Sequence, residues 1–241
     1  MEEDVQLLPC YVLHLKDMLS GVSYFIGGFF MSEPKTASVT SSARPARRLN
    51  ARAMAMCAML AAVAFVLMFL DFSVPLIPAF VKMDFSELPA LLASFALGPV
   101  YGVVVCLVKN LLHLFITSTN GAGELCNFLL GASFCLPAGV IYKFRKNRKG
   151  AVIGSLAGAI IMAVVSVPIN YFISYPAYVV FYSLPLPAII GMYQAIRPST
   201  NGLLECLLVF NMPFNLVKGL LTALVCFFIY KPLSPILHGR K

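Results

Sequence analysis

FNMPFNLVKGLLTALVCFFIY, from Phe210 to Tyr230, has the length and apolarity of a helix that crosses a bilayer, yet it carries Asn211, Asn215 and Lys218. At about 100° per residue, offsets of four and seven place all three within a wedge of roughly 60°. An ionisable group at membrane depth is costly and normally faces a bundle interior or a cavity. The stripe therefore reads as one wall of a small-molecule pocket. Amides are also satisfied by bonding neighbouring helices, so Asn211 and Asn215 admit either role. An ammonium is harder to satisfy by packing, and Lys218 carries the pocket reading.

The composition around that stretch sets the class. The 241-residue chain is 60% hydrophobic and 12% charged, with a mean hydropathy of +0.86. Soluble domains are nearer about 45–50% apolar and 25% charged. The apolar runs reach helix-spanning length, and the alternating ten-residue segments of a membrane barrel are absent. The fold class is all-α, a polytopic membrane protein. The seven cysteines form no CxxC pair and lie mostly inside apolar runs, as small core residues do. The three histidines are scattered, so neither a disulfide framework nor a metal site is expected.

Six spans are expected: about Arg52–Leu70, Phe85–Leu97, Val100–Ile116, Glu124–Tyr142, Ala151–Phe172 and the Phe210–Tyr230 stretch. Span one has small-xxx-small faces at Ala51 with Ala55 and Ala58 with Ala62, which suit internal packing or a separate membrane subunit. Gly98-Pro99 is a turn signal, and DFSVPLIPAFVKMDFSE, with two prolines and both charge signs, an ordered loop. Lys109 and His113 lie one turn apart; Lys109 suits either an interface or a pocket. Glu124 and Asn127 share a face, as do Ser166 and Asn170. Gly150, Gly154 and Gly158 begin span five at GxxxG spacing. The Tyr- and Pro-rich segment 174–202 reads as an interfacial loop with a short helix.

Counted from Arg44 onward, one side of this six-span topology holds twelve basic residues, including the five of segment 143–149. The other side holds two, Lys82 and Arg197. The positive-inside rule then puts both termini in the cytoplasm, and it accounts for the net charge of +8 without nucleic acid. The expected organisation is a disordered cytoplasmic tail over residues 1–47, with Met31 as a candidate start, a membrane domain over 48–232, and a short basic tail over 233–241. In that orientation Asn127, Asn170, His113, Asn215 and Lys218 converge on a pocket open to the outside, which loop 71–84 and segment 174–202 are placed to cover.

KMDFSELPALL, LGPVYGVVVCLVKNLLH, GELCNFLLGASFCLPAG, PINYFI and FNLVKGL, in that order, resemble the riboflavin-specific substrate-binding component (S component, RibU type) of energy-coupling factor (ECF) transporters. The match runs from about Arg48 to Pro232. The resemblance implies capture of riboflavin, or FMN, at the plasma membrane of a prokaryote. It also implies partners: a transmembrane coupling protein and two cytoplasmic ATPases. By motif position it assigns the flavin edge to Asn170, Asn215 and Lys218, and docking of the coupling protein to Ala58 and Ala62, with Ala51 and Ala55 matching less well. Asn127 is a candidate for the ribityl chain.

The isoalloxazine edge offers carbonyl acceptors and an N–H donor, which amides and an ammonium complement. There is no GxxxxGK[ST] loop, HExxH helix or GxSxG elbow, so an enzyme is not expected and ATP is left to the partners. No cofactor is expected beyond the transported ligand. The alternative is a self-sufficient proton-coupled carrier relaying through Glu124 and His113. Carriers of that kind are usually built from internal repeats, and none is visible.

Overall fold

The protein is described by a computed structural model that covers residues 51–74, 77–78, 81–116, 121–182, 185–200 and 202–238. The tail expected over residues 1–47, with its candidate start at Met31, lies outside these.

A central helix too short to cross a membrane organises the bundle. Helix α1 (Ala51–Met68) leads through an antiparallel hairpin, β1 (Phe72–Ser73) and β2 (Lys82–Met83), into α2 (Glu87–Ala96). Phe72 pairs with Met83 and Ser73 with Lys82. Every residue of α2 from Glu87 to Phe95 is buried, because α1, α3 (Pro99–His113), α4 (Ala122–Phe144) and α9 (Met212–His238) pack around it. Its mixed small and large apolar residues show no polar face because no side of it meets solvent or lipid. Gly98 makes the turn from α2 into α3 with φ at 120°, a conformation that glycine alone takes readily. Pro99 then occupies the first helical turn, where its missing N–H costs nothing.

Helix α5 (Arg148–Ile169) is capped by Asn147, whose side chain accepts from the Gly150 N–H at 2.6 Å. It passes through a π turn (Asn170–Ser174) into α6 (Tyr175–Tyr182). Then come α7 (Leu186–Gln194), α8 (Leu203–Cys206), a second π turn (Leu207–Asn211) and α9. The GxxxG spacing of α5 forms its seam with α4. A Cβ at Gly154 would lie 2.7 Å from the Ala138 carbonyl oxygen, and one at Gly158 would lie 2.5 Å from that of Phe134. Outward faces carry exposed Val, Leu, Ile and Phe on α1, α3, α4, α5 and α9, the surface expected of a bundle bathed in hydrocarbon. All six described cysteines are buried and unbridged.

Three details differ from the spans expected. Among the described residues, four stretches are long and apolar enough to cross a membrane: Ala51–Met68, Ala122–Phe144, Arg148–Phe181 and Leu203–Ile229. α2, at roughly 15 Å, and α3, at roughly 22 Å, fall short of the ~30 Å core. Segment 174–202 opens not as a loop but as 34 residues of continuous helix shared with α5, because the π turn absorbs Pro176 without breaking the rod. Helix α9 also continues beyond Pro232, to His238.

Gly158→Ala forces the α4–α5 seam apart and should cost about 1–3 kcal/mol, read as a lower unfolding temperature in detergent. Gly191→Ala, where a Cβ meets nothing within 4 Å, should leave that temperature unchanged or slightly raised.

Candidate functional site

A cavity of about 180 Å³ lies where α4 begins and α5 ends, beside the β1–β2 hairpin. Five polar residues of its wall come from four places: Asn127 on α4, Asn170 and Asn211 on the two π turns, and Asn215 and Lys218 on α9. The sequence stripe of Asn211, Asn215 and Lys218 is therefore brought to the cavity together with Asn127 and Asn170. The basic segment 143–149, where α4 ends and α5 begins, is at the other end of those helices.

The two π turns share one local cause. Asn170–Ser174 is followed by Tyr175 and Pro176, and Leu207–Asn211 by Met212 and Pro213. A proline ring in a helix clashes with the carbonyl four residues back, here that of Phe172 or Val209, and it removes a donor. Widening the turn relieves the clash. The Tyr175 N–H bonds the Asn170 carbonyl and the Met212 N–H that of Leu207, each five residues back. Such bulges are frequent at functional sites. Here each carries one cavity amide, Asn170 as the first residue of its turn and Asn211 as the last of its own.

The amides are held by their own backbones. Asn170 Nδ2 donates to the Ser166 carbonyl at 2.8 Å and Asn215 Nδ2 to the Asn211 carbonyl at 2.8 Å. Among the described residues neither Oδ1 has a partner, and the Asn127 side chain makes no hydrogen bond. Each is an uncommitted carboxamide in a cavity wall, able to donate and accept.

Lys218 is not free in the same sense. Its Nζ stands 3.2 Å from Asp84 Oδ2 and 3.1 Å from Glu87 Oε2, the second an ion pair outside hydrogen-bond alignment. Glu87 Oε1 accepts from Lys109 Nζ at 3.1 Å, Lys109 also donates to Ser86 Oγ, and the Ser86 N–H donates to Asp84 Oδ1 at 2.8 Å. The contacts close a ring of two lysines, two carboxylates and a serine with no net charge. Glu87 and Lys109 are 2% and 0% exposed, so each charge persists only through its partners. Burial alone would raise the Asp84 carboxyl, but the Lys218 ammonium, then Lys109 and Ser86, outweigh it and hold it well below the usual carboxylate range.

Lys109 therefore neither reaches an interface nor lines the cavity, contrary to both roles that its sequence position suggested. His113, expected at the pocket, is also elsewhere. Its Nδ1 lies 2.8 Å from Glu124 Oε1, tying the end of α3 to the start of α4 and drawing the ring away from the cavity. Asp84, Tyr175, Tyr178 and the Ser174–Cys126 pair at 3.0 Å were missed as parts of the wall. For Asp84 and Glu87 a signal existed: five acidic residues follow Asn50, and two sit in MDFSE, the counter-charge a buried Lys218 requires. Ala51, Ala55, Ala58 and Ala62 all face outward, while α1 packs inward through Cys57, Leu60, Ala61 and Ala64. The small-residue faces are thus not used inside this bundle.

Lys109→Met leaves the carboxylates in excess and should cost about 3–5 kcal/mol of stability. Adding Glu87→Gln restores neutrality around the Asp84–Lys218 pair, so the double variant should recover most of the lost unfolding temperature.

Residues 52–230 match the family described as the ECF transporter, substrate-specific component. The riboflavin transporter RibU of Staphylococcus aureus (strain TCH60) is 36% identical over 179 residues, 74% of this chain and 88% of that protein. The riboflavin transporter FmnP of Bacillus subtilis (strain 168) is 31% identical over 196 residues, 80% of this chain and 97% of that protein. RibU of Streptococcus thermophilus (strain ATCC BAA-250 / LMG 18311) is 31% identical over 229 residues, 92% and 99% of the two chains. The solved S component of a bacterial ECF transporter superimposes with a TM-score of 0.61 at 34% identity, covering 78% of this chain and 98% of that one. With a family match over most of its length and relatives above 30% identity along nearly their whole extent, the chain belongs to the substrate-specific components of ECF transporters.

Proposed function

We propose that this chain binds riboflavin with high affinity and imports it as the S component of an ECF transporter. The observation that carries the reading is the cavity wall itself. Four carboxamides and an ammonium converge on it from α4, the two π turns and α9. Asn170, Asn215 and Lys218 hold the imide-like edge of the flavin, and Asn127 takes a ribityl hydroxyl. The chain is a transport component rather than an enzyme, in keeping with relatives named as riboflavin transporters. FMN is the second ligand to be tried.

Six crossings of the plasma membrane follow from the element order if α2 and α3 cross within the shelter of their neighbours. Both termini are then cytoplasmic. The placement is supported by the five basic residues clustered where α4 ends and α5 begins, away from the cavity; with that end in the cytoplasm the cavity opens outward. The coupling protein docks on the outward alanines of α1, Ala58 and Ala62 first and Ala51 and Ala55 beside them, where a second backbone can approach closely. That protein and two cytoplasmic ATPases supply the energy.

Asn215→Ala and Lys218→Ala should each weaken riboflavin binding at least tenfold by leaving a buried polar partner unpaired, at about 1–3 kcal/mol. Titrating purified protein against quenching of flavin fluorescence measures this, and wild-type affinity in Asn215→Ala would remove the amide from the site. Asn215→Ala is the cleaner variant, because Lys218 also closes the ion ring. Ala58→Phe with Ala62→Phe should leave that titration unchanged and abolish cellular riboflavin uptake; lost binding would mean instead that the face is structural.

A further inference from the structure

Behind the cavity wall, three side chains from three elements close a hydrogen-bonded triangle. Tyr193 on α7 is 0% exposed, Tyr175 at the start of α6 is 1% and Asn211 at the end of the second π turn is 4%. The Tyr193 hydroxyl donates to Asn211 Oδ1 at 3.3 Å, Asn211 Nδ2 donates to the Tyr175 hydroxyl at 3.5 Å, and the two phenol oxygens bond each other. Tyr175 and Asn211 line the cavity; Tyr193 does not.

We infer that Tyr193 is a positioning residue for the cargo site: without touching the ligand, it holds the Asn211 carboxamide at the angle from which its second N–H meets a ligand carbonyl. This rests on the riboflavin reading given above and adds a residue to it.

Asn211 differs from the other cavity amides. Asn170 and Asn215 are steadied by carbonyls of their own helices. Asn211 depends on hydroxyls from other segments, with both ends of its amide tied. Both contacts must lengthen or break before the Asn211 plane can turn, and the third bond couples the two hydroxyls that hold it. In the sense found, Oδ1 points to the hydroxyl behind the wall and Nδ2 to the one that lines the cavity. What remains for a ligand is therefore a donor, matched to a ring carbonyl of the flavin. Removing the Tyr193 hydroxyl opens the triangle and leaves the amide held at one end only. Segment 186–194 would then act on cargo selection from outside the pocket. Tyr193 packs against Phe210 at a ring-centroid distance of 5.1 Å, so Tyr193→Phe keeps that contact and the buried ring.

The test is a double-mutant cycle on riboflavin affinity in the purified full chain: wild type, Tyr193→Phe, Asn211→Ala and both together. Tyr193→Phe should bind about tenfold more weakly, Asn211→Ala at least as weakly as that, and the double variant no more weakly than Asn211→Ala. A double variant whose loss is the product of the two single losses overturns the inference, because the tyrosine would then act independently by supporting α7. So does wild-type affinity in Tyr193→Phe. If Tyr193→Phe does not purify folded, Asn211→Ala still decides: undiminished binding there leaves Tyr193 nothing to position. If the wild-type chain binds no riboflavin, the functional reading falls and this inference with it. If wild type binds and the cycle is additive, only this inference falls.

Discussion

An ammonium inside a bilayer-spanning helix has to be neutralised within the protein, and that requirement at Lys218 shapes the whole cavity end. Moving such an ion out of water costs several kcal/mol even after relaxation, and partial pairing does not remove the penalty. The solution is two carboxylates from opposite directions. Glu87 arrives at the head of the central helix and Asp84 from the short link between β2 and that helix. Glu87 is itself too deeply buried to serve one cation with one oxygen, so Lys109 takes the other, and Ser86 joins Lys109 back to Asp84. One charge in the sequence thus fixes where α2 starts, how it meets α3 and α9, and where the hairpin lies.

The same end of the bundle is softened where the ring does not reach. The wall opposite the hairpin is made of two widened helical turns, each followed at the second residue by proline. A regular α-helix commits every interior backbone group and gives side chains a fixed 100° stagger. A single π turn breaks that stagger without ending the rod, re-aiming one amide in each of two neighbouring helices. The helices remain long enough to span, and the cavity gains polar groups that regular geometry would have sent elsewhere.

The helical membrane character of the fold was legible because it depends on apolar length, a local property of the sequence. The α4–α5 seam was visible as GxxxG spacing, the α2–α3 turn as Gly-Pro, and the Asn211–Asn215–Lys218 stripe as helical periodicity. What escaped depends on contacts between segments far apart in the chain. Lys109 looked like a snorkelling or pocket lysine because its partner Glu87, 22 residues away, is set by how α2 is enclosed. His113 looked convergent because a helical wheel cannot see that Glu124, 11 residues further along the chain, comes to lie beside its ring. Pro176 fell in a segment that read as a loop, since nothing in a linear pattern distinguishes a break from a π turn. The outward alanines of α1 were visible as a pattern, but which way they faced was decided by Cys57, Leu60, Ala61 and Ala64 filling the inward side.

The identity of the central cation also follows from the geometry. A lysine ammonium has three donors in a tetrahedral spread, whereas a guanidinium has a flat fork suited to one carboxylate taken side-on. Lys218 faces Asp84 on one side and Glu87 on another while its head still forms part of the cavity wall. One donor bonds Asp84 while Glu87 supplies counter-charge without an aligned bond, which leaves the ammonium donors to offer an acceptor in the cavity. A carbonyl entering there adds to the ring without displacing either carboxylate, so binding need not expose a bare charge at membrane depth. The residue that makes the bundle costly to assemble is thus also the one that can meet an uncharged, carbonyl-bearing guest while staying neutralised throughout.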